Sequence, residues 1–290
     1  MPKDSIPPVL NCAGRSLDLA TPAIMGVINV TPDSFSDGGT HYRGSDLDLD
    51  SAMAQARAMV VGGAQILDIG GESTRPGAAP VSEAQECDRV LPLVEKICAE
   101  LDVIVSVDTS TGSLMTGAAE LGAGMINDVR ALSRLGALNA AANTALPVCL
   151  MHMQGQPATM QKSPRYANVV DSVLEFLSQR IEACGRAGIE RQRLLLDPGF
   201  GFGKSVQHNL QLLQGLPQLM ALGLPLLVGL SRKSMIQGLI GRQTNERAPA
   251  SLALAVLAVE RGAAIIRTHD VAQTVDAVAM AVALAGVETA

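Results

Sequence analysis

The chain has 290 residues, of which 48% are apolar, 17% charged and 2% aromatic, with no tryptophan. A large buried core is therefore affordable in composition and wholesale disorder is excluded, but the core must be built from Ala, Leu, Val, Ile and the 12 methionines. Twenty-two Lys and Arg against 28 Asp and Glu give a formal charge of −6, which lacks the basic field of a nucleic-acid partner and leaves room only for local sites for small anions.

The most apolar windows, Leu252–Val259 and Ala277–Val287, are shorter than the ~20 apolar residues of a membrane span. Met1-Pro2-Lys3-Asp4 leads into no apolar signal core. The cysteines (Cys12, Cys87, Cys98, Cys149, Cys184) form no CxxC pair and suit buried thiols in a reducing compartment. A cytoplasmic location without membrane contact is the expectation.

In chain order, short apolar runs predict strands at Ile24–Asn29, Ile66–Gly70, Val103–Asp108, Gly124–Asp128, Val148–His152, Leu194–Asp197, Leu226–Leu230 and Ala264–His269. Between them, helical periodicity predicts helices over Ser51–Val61, Ser82–Glu100, Ser113–Leu121, Val169–Arg186, Val206–Leu222 and Pro249–Arg261. Parallel strands need crossover helices, and eight βα units in this length point to an α/β (β/α)8 TIM barrel. An open doubly wound sheet is the alternative that the local pattern leaves. Residues 23–290 are assigned to one barrel domain, and residues 1–22 to a short N-terminal extension, a plug or hairpin across the barrel bottom.

Nearly every expected strand ends in a polar group: Asn29, Asp68, Asp108, Asn127 with Asp128, His152, Asp197, Ser231-Arg232-Lys233, and Arg267 with His269. In a barrel such ends converge on one mouth. Asp68 and Asp270 have an equally good reading as helix N-caps. Strand alternation puts Arg267 and His269 on one face, and likewise Val27 with Asn29, Ser106 with Asp108 and Leu195 with Asp197. Arg267 then serves an anion or a flat ring, or else an internal ion pair with Asp197 or Asp270.

Two loops rich in Gly, Pro, Ser and Asp follow the first two strands. Each carries a residue that turn chemistry does not require, Phe35 and Arg75, which suggests a lid. Asp197-Pro198-Gly199-Phe200-Gly201-Phe202-Gly203-Lys204 has neither Walker A nor GxGxxG spacing; its glycines suggest close backbone approach to a flat ligand. Ser231-Arg232-Lys233-Ser234 precedes a helix over Met235–Ile240, a place for a carboxylate or phosphate, or simply a serine cap. Protein-held zinc is not expected, since HExxH, EF-hand and Cys/His patterns are missing from the sequence. Mg²⁺ held mostly by substrate oxygens needs only one or two protein oxygens, and Asn29 offers one. On chemistry alone, Lys233 also suits a Schiff-base aldolase.

Asn29–Gly39 (Asn-Val-Thr-Pro-Asp-Ser-Phe-Ser-Asp-Gly-Gly), Gly70–Gly77 (Gly-Gly-Glu-Ser-Thr-Arg-Pro-Gly), Asp197–Lys204, Ser231–Ser234 and Arg267-Thr268-His269 together resemble dihydropteroate synthase, in the same order along the chain. The resemblance implies a TIM barrel, usually homodimeric. It implies condensation of 6-hydroxymethyl-7,8-dihydropterin pyrophosphate with p-aminobenzoate to 7,8-dihydropteroate and pyrophosphate in folate biosynthesis, with Mg²⁺ at Asn29 and sulfonamides as competitors. It further implies a pterin pocket of Asp108, Asn127, Met151, Asp197, Gly201, Phe202, Lys233 and Arg267. Asn29, Thr74, Arg75, Arg267 and His269 would bind pyrophosphate, and Phe35, Thr74, Pro76 and Ser234 p-aminobenzoate. Asp37, Asp108, Lys233, Arg267 and His269 would carry the chemistry. A pterin-binding methyltransferase barrel and a non-catalytic pterin-binding protein are the alternatives.

Overall fold

The structure is a computed structural model that describes residues 9–31, 42–43, 46–73, 81–155 and 159–287. Eight parallel strands close into a barrel in chain order: β1 (Ala23–Asn29), β2 (Ile66–Gly70), β3 (Ile104–Asp108), β4 (Met125–Asp128), β5 (Val148–Met151), β6 (Leu194–Asp197), β7 (Leu226–Val228) and β8 (Ala263–Thr268), with β8 pairing back onto β1. The sequence expectation of a (β/α)8 barrel holds, and the open sheet is excluded by that β8–β1 ladder.

Helices Leu49–Val61, Glu83–Glu100, Gly112–Glu120, Val169–Arg186 and Ala248–Glu260 occupy crossovers, and Val271–Ala285 follows β8. Ser82 caps the second of these through a reciprocal capping box with Gln85. Two stretches differ from expectation. Val206–Leu222 is broken into Val206–Gln214, Leu216–Leu219 and a 3₁₀ turn Met220–Leu222. Pro217 lacks an amide proton and restarts the helix, and Gly215 sits where any Cβ would meet Val170 at 2.6 Å. Ala137–Thr144 forms an unexpected helix entered through Gly136 in the left-handed region.

Alternation along the strands divides the apolar side chains into two cores. Ile24, Ile28, Leu67, Ile69, Val105 and Val107 point outward beneath the helices. Met25, Ile66, Ile104, Met125, Cys149, Leu195, Leu227 and Ile265, one from each strand, point inward and form a closed apolar layer, none more than 6% exposed. The antiparallel hairpin Val9–Cys12 and Arg15–Asp18 covers that layer with Leu10, Cys12 and Leu17. Its two-residue turn, Ala13-Gly14, has positive φ at both positions, as twisted hairpins require. The approach is close: a Cβ on Gly124, at the start of β4, would lie 3.0 Å from Cys12 Cβ. None of the helices among the described residues is long and apolar enough to cross a membrane.

Leu17 is 2% exposed against the apolar layer, so Leu17→Ala should cost about 2–5 kcal/mol of stability, read as a lower urea midpoint at unchanged slope. A midpoint equal to that of the parent chain would mean that the hairpin does not seal the barrel.

Candidate active site

One step beyond the apolar layer, the inward positions turn polar. Asp68, Ser106, Asn127, Met151, Asp197 and Arg267 follow Ile66, Ile104, Met125, Cys149, Leu195 and Ile265 by two residues, and Asn29 and Asp108 lie one further step up. Ladder pairing sets their heights: Asp68 opposite Ser106, Asp108 opposite Asn127, Asp197 opposite Met151.

Asp68 is fully buried and accepts from Ser106 Oγ at 2.7 Å, Asn127 Nδ2 at 3.0 Å and Arg267 Nε at 2.6 Å. Arg267 Nη2 reaches Asp108 Oδ2 at 2.9 Å. Burial works against the arginine cation, but Asp68 and Asp108 outweigh it and hold it above the usual value. Burial and the neighbouring Asp68 carboxylate raise Asp108, with Arg267 opposing. The N-cap reading of Asp68 is thus overturned. Arg267 has an internal ion pair, but with these two carboxylates and not with Asp197 or Asp270; Asp270 instead binds Arg232, Nη2 to Oδ1 at 2.6 Å. Strand parity is the reason: Asp270 lies beyond the end of β8, past the outward-facing Thr268.

Asp197 lies across the mouth, pushed up by burial and drawn back by the Gly199 amide (2.7 Å) and by Lys233. Lys233 Nζ sits 4.3 Å from the centre of the Phe202 ring. Burial and Arg267 pull Lys233 down to about 8, against Asp197 and Asp108. Its helix runs Ser234–Ile240 and has no side-chain cap, so the serine-cap alternative is not realised.

The glycines of the Asp197–Lys204 loop have a different use from the one expected. Gly199 has φ +72, and a Cβ there would lie 1.8 Å from the His152 carbonyl oxygen; Gly203 faces Gln154 in the same way. They allow the loop to lie on the segment after β5. Only Gly201 borders the cavity, against the Lys233 stem. Sequence reasoning missed Lys204, which is 3% exposed and donates to the Gly199 oxygen (2.8 Å), the Phe202 oxygen (3.1 Å) and His152 Nδ1 (2.8 Å). Burial, with Lys204 second, drives His152 down to about 3, so its neutral ring accepts that bond. His152 stands edge-on to Phe176, 5.0 Å between centroids, and does not line the mouth. Asp128 also faces away, accepting from Ser110 and from the amides of Arg130 and Leu132. Both follow an inward residue, Met151 and Asn127, and parity turns them out.

The mouth is a cavity of about 450 Å³. Asn29, Asp108, Asn127, Met151, Asp197 and Gly201 line it, as do Phe202, Lys233, Ser234, Arg267 and His269. His269 Nδ1 is 3.0 Å from Ser231 Oγ. Phe35, Asp37, Thr74, Arg75 and Pro76 lie outside the described residues. Asp68 and Ser231, expected at the mouth as strand ends, take up structural places there, Asp68 beneath the cavity and Ser231 on its wall; besides Lys204, the additions to the expected residues are Arg247 and Glu72, the last bound by both Arg130 amino groups at 2.8 and 2.9 Å. Inward parity with Ile66 was the sequence signal available for Asp68; Arg247, 20 residues upstream of Arg267 on another element, carried none.

Residues 25–269 match a family model described as pterin binding enzyme. The dihydropteroate synthase of Escherichia coli (strain K12) is 53% identical over 264 residues, covering 91% of this chain and 92% of its own. That of Haemophilus influenzae is 52% identical over 262 residues, 90% and 94% of the two chains. A Yersinia pestis dihydropteroate synthase structure with a sulfonamide drug complex superposes at TM-score 0.92, with 52% identity over 96% of this chain and 100% of that one. The Xanthomonas albilineans enzyme in complex with 7,8-dihydropteroate superposes at 0.87, with 47% identity over 97% and 100%. With these matches over nearly the whole chain, and with Asn29, Asp197, Lys233, Arg267 and His269 at one barrel mouth, the chain belongs to the dihydropteroate synthases of the pterin-binding enzyme family.

Proposed function

We propose that the barrel mouth condenses 6-hydroxymethyl-7,8-dihydropterin pyrophosphate with p-aminobenzoate, giving 7,8-dihydropteroate and pyrophosphate. The observation that carries the reading is the sharing of one cavity by acceptors (the partly exposed Asp108 and the buried Asn127 and Asp197) and cations (Lys233, Arg267). A pterin ring has a guanidine-like edge of N–H donors. Carboxylates and an amide oxygen complement it, and Lys233 donates to the ring's carbonyl and nitrogen acceptors. Met151, Gly201 and Phe202 form the slot for the ring, with Arg267 on its face.

Arg267, His269 and Asn29 face the diphosphate, with Thr74 and Arg75 assigned to it by family resemblance. As the C–O bond to the methylene breaks, both bonding electrons leave with pyrophosphate, and the cationic groups stabilise the departing charge. Asp37 is assigned to the resulting pterin-methyl cation. The aromatic amine then forms the C–N bond and loses a proton. Ser234 is assigned to the carboxylate of p-aminobenzoate, beside Phe35, Thr74 and Pro76. A Xanthomonas albilineans relative was solved with 4-aminobenzoic acid, and sulfonamides are the expected competitors here.

The donor set suits Mg²⁺ as a partner of the substrate: Asn29 supplies a neutral amide oxygen at the cavity wall, while the described residues hold no cluster of His, Cys, Asp and Glu that would cage an ion alone. When bound, Mg²⁺ would neutralise diphosphate charge. The exposed Leu257, Met280 and Leu284 on the last two helices are the apolar surface offered to a second copy in a homodimer. The free cysteines, three of them buried, fit a reducing cytoplasm.

Pyrophosphate release measured with both substrates, and with each omitted, tests the reaction. Release is expected to need both, and release that is indifferent to p-aminobenzoate would defeat the synthase assignment. Asp197→Ala should weaken binding of the pterin pyrophosphate by more than about tenfold in equilibrium titration, because buried ring donors lose their acceptor. Near-parent affinity would remove Asp197 from the ring edge.

Lys233 is a cation below its value of about 8 and neutral above it, so kcat/KM for the pterin pyrophosphate should fall as pH rises through that value. Lys233→Arg should lower the rate and shift the alkaline limb upward, since arginine stays charged. An unmoved limb would assign it to another group.

A further inference from the structure

Among the described residues, Asn127 Oδ1 is one of only two buried side-chain polar atoms without a hydrogen-bond partner. Asn127 is 4% exposed and lines the cavity. A carboxamide can present either its oxygen or its NH₂ to a ligand, and a 180° rotation exchanges them. The choice is made below the cavity floor. Asp68 does not border the cavity, is fully buried, and takes Asn127 Nδ2 at 3.0 Å. A carboxylate only accepts, so the end of the amide that faces it must be the donor end. Ser106 Oγ on Asp68 Oδ1 and Arg267 Nε on Oδ2 fix the carboxylate's own rotation.

We infer that Asp68 is a positioning residue: through Nδ2 it turns the Asn127 amide so that Oδ1 is kept as an acceptor with no protein partner, which selects a ring that offers an N–H at that point. The inference rests on the pterin reading of the cavity and names what sets its acceptor pattern. Asp68 touches no ligand. A ring with an acceptor at that position meets oxygen against lone pair and is rejected. Asp68→Asn removes the selection, because a neutral amide beneath Asn127 accepts or donates equally well, and Asn127 can then rotate its NH₂ towards the ligand.

The experiment is calorimetric titration of 6-hydroxymethylpterin, which has the ring but no diphosphate, into the full chain, Asp68→Asn, Asn127→Ala and the double variant. Asp68→Asn should weaken binding about tenfold alone and at most about twofold in the Asn127→Ala background, since its effect passes through that amide. Equal losses in both backgrounds, which a general loosening of the site would produce, overturn the inference, as does a loss below about twofold in the parent background. If the parent chain itself does not bind the ring, the pterin reading falls and takes the inference with it. If Asp68→Asn does not fold, Ser106→Ala decides: it frees one carboxylate oxygen and should weaken the ring about threefold, and unchanged affinity overturns the proposal.

Discussion

The constraint on which everything else depends is strand alternation in a closed barrel. Inward side chains have nowhere to go but the axis, so a change from apolar to polar two residues further along makes a floor and a site in one step. Eight apolar residues, Met25 through Ile265, fill the lower axis. The next inward positions carry Asp68, Ser106, Asn127, Asp197 and Arg267, which are thereby stacked on a dry surface. Water cannot reach them from below, because the N-terminal hairpin and the apolar layer close that end. The electrostatics of the mouth follow from that one-sided exposure.

Packing Asp68, Asp108 and Asp197 at the bottom of the mouth with Arg267, Lys233 and Lys204 as the nearby cations is unfavourable, and the directions of shift follow: Asp108 and Asp197 are raised and Lys233 is lowered. The cost is borne before any ligand arrives. A heterocycle that brings N–H donors to the acids and acceptors to the lysine supplies missing partners without requiring the protein to rearrange. Pre-organisation of this kind is what electrostatic catalysis demands.

Much of this was legible in the residues. Parity correctly paired Ser106 with Asp108, and the apolar strand runs were enough to count eight βα units. Asp68 shows where such reading stops. Two residues before the end of a short strand, an Asp followed by Ile-Gly-Gly resembles a helix cap. Its real partner, Arg267, lies 199 residues away and is brought near only by closure of the barrel. The Asp197–Lys204 glycines show a second limit. The sequence says that a Cβ is unwelcome at Gly199 but not what would collide with it, and the obstacle is the His152 carbonyl, not a ligand. Asp128 and His152 looked like members of the mouth because each ends a strand; one residue of parity turns both outward.

The two lysines sharpen the distinction between a perturbed group and a working one. Burial lowers both, Lys204 to about 7 and Lys233 to about 8, so the shift alone would nominate either. Geometry separates them. The three close acceptors of Lys204 match the three protons of an ammonium, two of those acceptors are carbonyls of the loop it closes, and the third is a histidine that the surrounding burial keeps neutral. Nothing of its donor capacity is left for a substrate, and it does not border the cavity. Lys233 borders the cavity, and its ammonium rests against the Phe202 ring beside Asp197. Lys204 therefore acts by holding Phe202 and Gly201 in place at the cavity wall, and Lys233 is the lysine placed to meet whatever occupies the cavity.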